Sequence, residues 1–284
     1  MQPVKIVECP RDAMQGWPHI IQTADKVAYL NQLLKVGFDV LDFGSFVSPE
    51  VIPQMADTKA VLPQLQLNSG SAKLLAIVAN TRGASEACAF DEITYLGFPF
   101  SISETFQLRN TNKTIVQSLK EVEGIQALCL RHHKKLLIYI SMGFGNPYGD
   151  GYSVDLMFEW FRKLAGMGIE VISLADTVGV ANPKTIETAF SNLIPEFPGI
   201  EIGGHFHSTP NTWQEKIEAA FTYGCTHFDS SLKGIGGCPM AKDELVGNIA
   251  TENLVWWLEQ KDVSLNLDME ALAEAIEMAA RIFV

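Results

Sequence analysis

The chain has no run of 18 or more apolar residues, and its opening stretch, MQPVKIVECPRDAMQ, has no basic segment followed by an apolar core. Those absences argue against a membrane-crossing helix and a secretory leader. The expectation is a cytoplasmic protein with no membrane partner. Cation is scarce: 21 Lys and Arg stand against 33 Asp and Glu, a formal charge of −12. General affinity for nucleic acid needs clustered Lys and Arg, so none is expected. The five cysteines (Cys9, Cys88, Cys129, Cys225, Cys238) are scattered and form no CxxC pair, which reads as reduced thiols rather than a disulfide framework. No Ser/Gly-rich linker or low-complexity tract interrupts the chain, and no Gly-rich phosphate fingerprint follows VKIVE. The first points to one domain over residues 1–284, the second away from a dinucleotide-binding open sheet.

What is present is ample apolar material, 47% hydrophobic against 19% charged residues, and a repeated grammar. In TADKVAYLNQLLKVGFDVLDFG, VDLMFEWFRKLAGMGIEVISLADT and NTWQEKIEAAFTYGCTHFDSSL, an amphipathic segment is followed by a Gly suited to end a helix in the left-handed conformation. A short apolar run then closes on a polar group. In the first, Val27, Leu30 and Leu34 share one helical face and Gly37 ends it. Further strands are predicted over 4–8, 73–79, 93–101, 135–142 and 200–207. The total of about eight, alternating with helices, predicts an α/β chain closed as a (β/α)8 TIM barrel. Residues 266–284 (NLDMEALAEAIEMAARIFV) form an additional C-terminal helix, expected to cap the barrel or meet a partner subunit. Ser48-Pro49 and Asn182-Pro183 read as helix starts.

Parallel barrels carry their sites at the carboxyl ends of the strands. The polar residues there are Arg11 and Asp12 after the first strand, Asp42 after the second, Ser103 and Glu104 after the fourth, Asp176 after the sixth, and His205 and His207 at the seventh. In a strand, i and i+2 face the same side, so His205 and His207 can reach one ion. With a carboxylate, for which Asp12 is the natural choice, and an amide, this mixed nitrogen and oxygen set suits Mg2+ or Mn2+. Each feature has a plainer reading. An HxH pair also arises as one hydrogen-bonded core histidine and one surface group, and Arg11-Asp12 as an ion pair at the rim. Cys238 also fits an incidental place in the Gly-rich turn LKGIGGCPMAKDELVG, and Asn248 the start of the next helix.

The motifs VKIVECPRDAMQ, FVSPEVIPQMAD, SLADTVGVANP, GGHFHST and, most specifically, GIGGCPMA followed by GNIATENL resemble, in this order and over nearly the whole chain, the 3-hydroxy-3-methylglutaryl-CoA lyase family. The resemblance implies that Asp12, His205, His207 and Asn248 bind the divalent cation and that Arg11 polarises the acyl-CoA carbonyl. It places Cys238 on a mobile catalytic loop, and matches Asp42 and Asp176 to important acidic positions. It implies cleavage of 3-hydroxy-3-methylglutaryl-CoA to acetyl-CoA and acetoacetate, the last step of leucine breakdown, by a homodimer. His205, Asp42 or Asp176 is then the candidate base, and Cys238 the candidate proton donor or loop gate. The chain departs from the family pattern at Asp42, usually Glu, at Ser208, usually Asp, at Ala13, usually Gly, and at Asn146, often Cys. Two alternatives stay open. One is a related lyase or Claisen-type synthase acting on another 3-hydroxyacyl-CoA or 2-oxo acid. The other is a barrel that binds metal or acyl-CoA without turnover.

Overall fold

Every apolar run predicted as a strand forms one in the computed structural model, which describes residues 3–237 and 246–284. The strands are β1 (Lys5–Glu8), β2 (Val40–Ser45), β3 (Lys73–Ile77), β4 (Ile93–Ser101), β5 (Lys135–Ser141), β6 (Val171–Asp176), β7 (Glu201–Ser208) and β8 (His227–Ser230). Each pairs in parallel with its neighbours in sequence, and β1 pairs with β8, so the sheet closes into a barrel. The helices are α1 (Pro10–Gln15), α2 (Thr23–Val36), α3 (Thr58–Val61), α4 (Thr81–Cys88), α5 (Glu104–Thr111), α6 (Ile115–Arg131), α7 (Val154–Ala165), α8 (Pro183–Glu196), α9 (Trp213–Thr222), α10 (Thr251–Gln260) and α11 (Met269–Ile282).

The helices form where the periodicity and caps direct. In α7 the Ser153 hydroxyl accepts the Leu156 N–H at 3.0 Å. Met157, Phe158, Phe161 and Leu164 make its buried face. Phe161 is fully buried, a burial worth about 2 kcal/mol. Gly37 and Gly224 end α2 and α9 with φ of 91° and 95°, in the conformation the sequence predicted.

Two apolar clusters result. The larger lies between strands and helices, and the smaller fills the barrel with Val7, Val40, Leu75, Ile77, Leu137 and Val171 among others. The barrel interior is therefore packed rather than a pore. On the β7–β8 side the filling is polar. Glu201, Gly203, His205 and His207 alternate along β7, His227 and Asp229 along β8, and alternate residues share a face.

Two expectations are corrected. Ser48 and Pro49 make a turn, closed by the Val51 N–H on the Ser48 carbonyl, and the first helical turn begins only at Pro53. Asn182 does cap α8. Asn248 does not open the following helix. With Gly247 it forms β9 (Gly247–Asn248), antiparallel to the end of β7, with His207 opposite Asn248 and Ser208 opposite Gly247. The C-terminal helix forms, as α11. It lies on α2, where the Gln32 amide donates to the Ala271 carbonyl at 3.0 Å and the Phe283 ring meets Trp17 and Tyr29 edge-on.

Candidate active site

The strand-end residues meet at one mouth. Arg11 and Asp12 lie on α1, which starts at Pro10 directly after β1, and His205 and His207 on β7. All four line a cavity of about 230 Å³ whose wall is largely apolar, including Val47, Ile52, Ile77 and Phe106.

Both histidine tautomers follow from their partners. His207 Nδ1 is 2.8 Å from the Thr177 carbonyl, which only accepts, so Nδ1 carries the proton. His205 Nδ1 is 2.9 Å from Asp229 Oδ2. Burial raises the Asp229 pKa, but its contacts with His205 and His227 outweigh it and hold the group well below the usual carboxylate range. Asp229 is thus an acceptor and His205 Nδ1 a donor. With each Nδ1 taken, the two Nε2 atoms face each other at 3.3 Å. That approach is satisfied by a proton shared between them, which a protonated His205 would supply, or by a cation beside them that both lone pairs reach. Ligand atoms of Asp12, His205 and His207 all lie within 4.8 Å of one another, and two imidazoles with a carboxylate are a donor set for a borderline divalent ion. The residues present therefore fit a divalent cation. Cys9, His205 and Asp229 meet the same spacing, but the Cys9 thiol is pushed up by burial and points at the Val7 carbonyl.

Charge at the mouth is finely divided. Burial and the nearby His205 push His207 down to about 4, while the Asp229 bond lifts His205 despite its burial. Burial also works against an ionised Asp12, yet Arg11, both histidines and the Asn248 amide lower its pKa. Asn248 Nδ2 donates to Asp12 Oδ2 at 2.7 Å and to the Ile235 carbonyl at 3.0 Å. Offering a cation its oxygen instead requires the amide to turn over. Gly236, φ 118°, packs on this pair: a Cβ there would come within 2.4 Å of Asn248 Nδ2 and 3.0 Å of Asp12 Oδ2. Only glycine fits so close to the proposed ligands.

Arg11 is almost fully engaged. Nε and Nη2 bind Asp42, at 2.9 and 2.5 Å to Oδ2, while Nη1 reaches Asp12 at 3.3 Å and Gln15 at 2.7 Å. Of five guanidinium hydrogens, one on Nη2 remains without a partner among the described residues.

The expected acids and polar groups divide sharply. Asp42 is wholly buried beneath Arg11, is pushed up to about 6 by burial, and does not line the cavity. Asp176 does not line it either. Its Oδ2 takes the buried Lys216 ammonium at 2.6 Å and its Oδ1 the Ala181 N–H at 3.0 Å, while Lys216 also donates to the His207 carbonyl at 2.7 Å. Ser103 caps α5 and donates to Asp150, and exposed Glu104 accepts the Ile115 N–H. Cys238 lies outside the described residues. Sequence reasoning missed Asp229, Lys216, Gln15 and the Thr177 carbonyl. Asp229 ends an apolar run in HFDSSL as Asp42 and Asp176 end theirs, so the strand-end rule could have found it.

The fold and this mouth define a (β/α)8 barrel with a candidate divalent-cation site at the carboxyl ends of its strands. The HMGL-like family model matches residues 4–279, and the chain belongs to that family. A hydroxymethylglutaryl-CoA lyase of Bacillus subtilis is 34% identical over 94% of this chain and 88% of its own length. A 3-hydroxy-3-isohexenylglutaryl-CoA/hydroxymethylglutaryl-CoA lyase of Pseudomonas aeruginosa is 33% identical over 96% and 90%. The structure of an HMG-CoA lyase from Acinetobacter baumannii, in complex with coenzyme A and 3-methylmalate, superposes with a TM-score of 0.91 at 29% identity, covering 99% of this chain and 91% of that one.

Proposed function

We propose that the chain is a carbon–carbon lyase that cleaves 3-hydroxy-3-methylglutaryl-CoA to acetyl-CoA and acetoacetate, the closing step of leucine breakdown. Asp12, His205, His207 and, with its amide turned, Asn248 would hold a Mg2+ or Mn2+ ion. The observation that carries this reading is the convergence of Asp12, His205 and His207, whose ligand atoms all lie within 4.8 Å of one another, under an apolar wall. When bound, the divalent cation supplies the positive charge that makes a tertiary alcohol acidic near neutral pH.

The chain's own residues do the rest. Of the three candidate bases, His205 alone faces the cavity; its single Nε2 lone pair can hold the cation or take the hydroxyl proton, not both at once, so acting as base it would leave the cation to Asp12, His207 and Asn248. As the C2–C3 bond breaks, its electrons move onto the thioester, and the remaining Nη2–H of Arg11 serves the oxygen that becomes negative. Asp42 holds Arg11 charged and in place; Asp176 acts through Lys216 on the His207 strand. Val47, Ile52, Ile77 and Phe106 keep water from the enolate, and Cys238 returns a proton to its carbon. The same apolar wall favours a second reading, a longer apolar substituent at C3. The assembly we propose is a cytoplasmic homodimer, which light scattering on the purified chain checks.

The deciding experiment is a coupled assay for acetyl-CoA release, on EDTA-stripped protein with and without Mg2+ or Mn2+. Turnover restored by metal and lost in Cys238→Ala supports the lyase. Failure with metal-replete protein, beside success with a 3-alkenyl analogue, moves the assignment to the second reading. Failure with both leaves a barrel that binds without turnover.

A further inference from the structure

Among the buried groups that the mechanism leaves unused is a histidine. His227, at the start of β8, is only 2% exposed. Register sets it between Gly203 of β7 and Lys5 of β1. At Gly203 a Cβ would come within 2.7 Å of the His227 ring, so the neighbouring strand leaves room for the imidazole by having no side chain there. His227 Nδ1 is 2.6 Å from Glu201 Oε1, and the other Glu201 oxygen takes the Lys5 ammonium at 2.5 Å. On its opposite side His227 Nε2 lies 3.3 Å from Asp229 Oδ1, an ionic contact rather than a well-directed hydrogen bond. Asp229 Oδ2 meets His205 Nδ1 at 2.9 Å. Lys5, Glu201, His227, Asp229 and His205 thus form an unbroken column from the floor of the barrel to its mouth, and the Ser173 hydroxyl stands beside it.

A carboxylate as buried as Asp229, 2% exposed, is costly unless both oxygens are compensated. His205 compensates one. Without His227 the other faces a packed interior, and the carboxylate is no longer held in one orientation.

We propose that His227, braced by Glu201, is a positioning residue that pins the Asp229 carboxylate against the His205 Nδ1–H and so fixes the direction in which the His205 Nε2 lone pair meets the cation. This rests on the cation reading above.

The test uses the full chain, stripped of metal. Mn2+ affinity is read from the EPR signal of free Mn2+, coordination from the visible absorption of the Co2+-loaded protein, and folding from thermal melts of the metal-free form. His227→Leu is expected to weaken Mn2+ binding roughly tenfold or more, the range seen when partners behind metal ligands are removed, and to alter the Co2+ bands. His227→Lys, which keeps a cation beside Asp229, should recover most of the loss. Glu201→Leu, at a partly exposed site that tolerates the change, should weaken binding severalfold. The proposal is overturned if His227→Leu binds Mn2+ within twofold of the parent with unchanged Co2+ bands, whatever its melting temperature. It is equally overturned if Lys and Leu are equally weak. Should His227→Leu fail to fold, unchanged Mn2+ affinity and Co2+ bands in Glu201→Leu overturn it. A parent protein that binds no Mn2+ sinks the cation reading instead.

Discussion

In the proposed mechanism His205 has one Nε2 lone pair for two roles, holding a cation or accepting a proton. His205→Gln separates them, because an amide keeps a neutral ligand atom but takes no proton at this pH. If proton transfer is the principal role, Mn2+ affinity should stay within about tenfold while kcat falls by roughly two to four orders of magnitude, the usual worth of a general base. Loss of both together assigns the residue to the metal. At this scale the sequence was partly legible. The strand-end rule brought Arg11, Asp12, His205 and His207 to one cavity because strand parity and the barrel's direction fix where such residues point. It failed for Asp42 and Asp176, since closing a strand puts a carboxylate near the mouth without saying whether a cation has already taken it. Lys216 illustrates the gap. On a surface-like amphipathic helix it reads as solvated, yet its ammonium is buried against Asp176.

At the scale of elements, that lysine ties three pieces together. Lys216 of α9 bonds the Asp176 carboxylate at the end of β6, the Gly179 carbonyl in the following loop at 3.0 Å and the His207 carbonyl of β7. Lys216→Met leaves Asp176 buried without its cation and should cost about 3–5 kcal/mol, measured by urea unfolding. Adding Asp176→Asn should return part of it. Activity per folded molecule should fall too, because the His207 backbone loses a donor. The eight barrel strands and the glycines that end the helices were readable because long apolar runs and chain turns are local facts. The ninth strand was not. Two residues carry no periodicity, and Asn248 belongs there only because β7 presents an edge beyond its barrel partners.

For the whole molecule, the titration of Glu8 shapes stability. Burial pushes its carboxyl up from 4.5 to about 8. From about 4.5 to 8 the folded chain therefore keeps a proton that the unfolded chain has lost, and stability falls as pH rises through that window. His227 acts in the same direction higher up. Burial opposes its charge, but the Asp229 and Glu201 contacts raise it from 6.5 to about 9. Its contribution is complete below 6.5 and lost as pH climbs through 9. Glu8→Gln, neutral at every pH, should flatten the fall between about 4.5 and 8 in denaturant titrations while leaving the later fall from His227. Bound Mn2+ should raise the melting temperature with the logarithm of its concentration over Kd.

Asp12 and Asn248, joined by one hydrogen bond, are 236 residues apart, and the barrel seals where β1 meets β8. The proposed cation site would thus be a rivet across the seam between the first and last parts of the chain. During synthesis it cannot exist until the ribosome has delivered β9, so a nascent barrel should be blind to metal until nearly the whole protein has emerged. If the chain is cut in the loop before α7 and the two pieces are mixed, tight Mn2+ capture should appear only when the halves have found each other. Hydrogen exchange should then slow most along β1, β8 and β9.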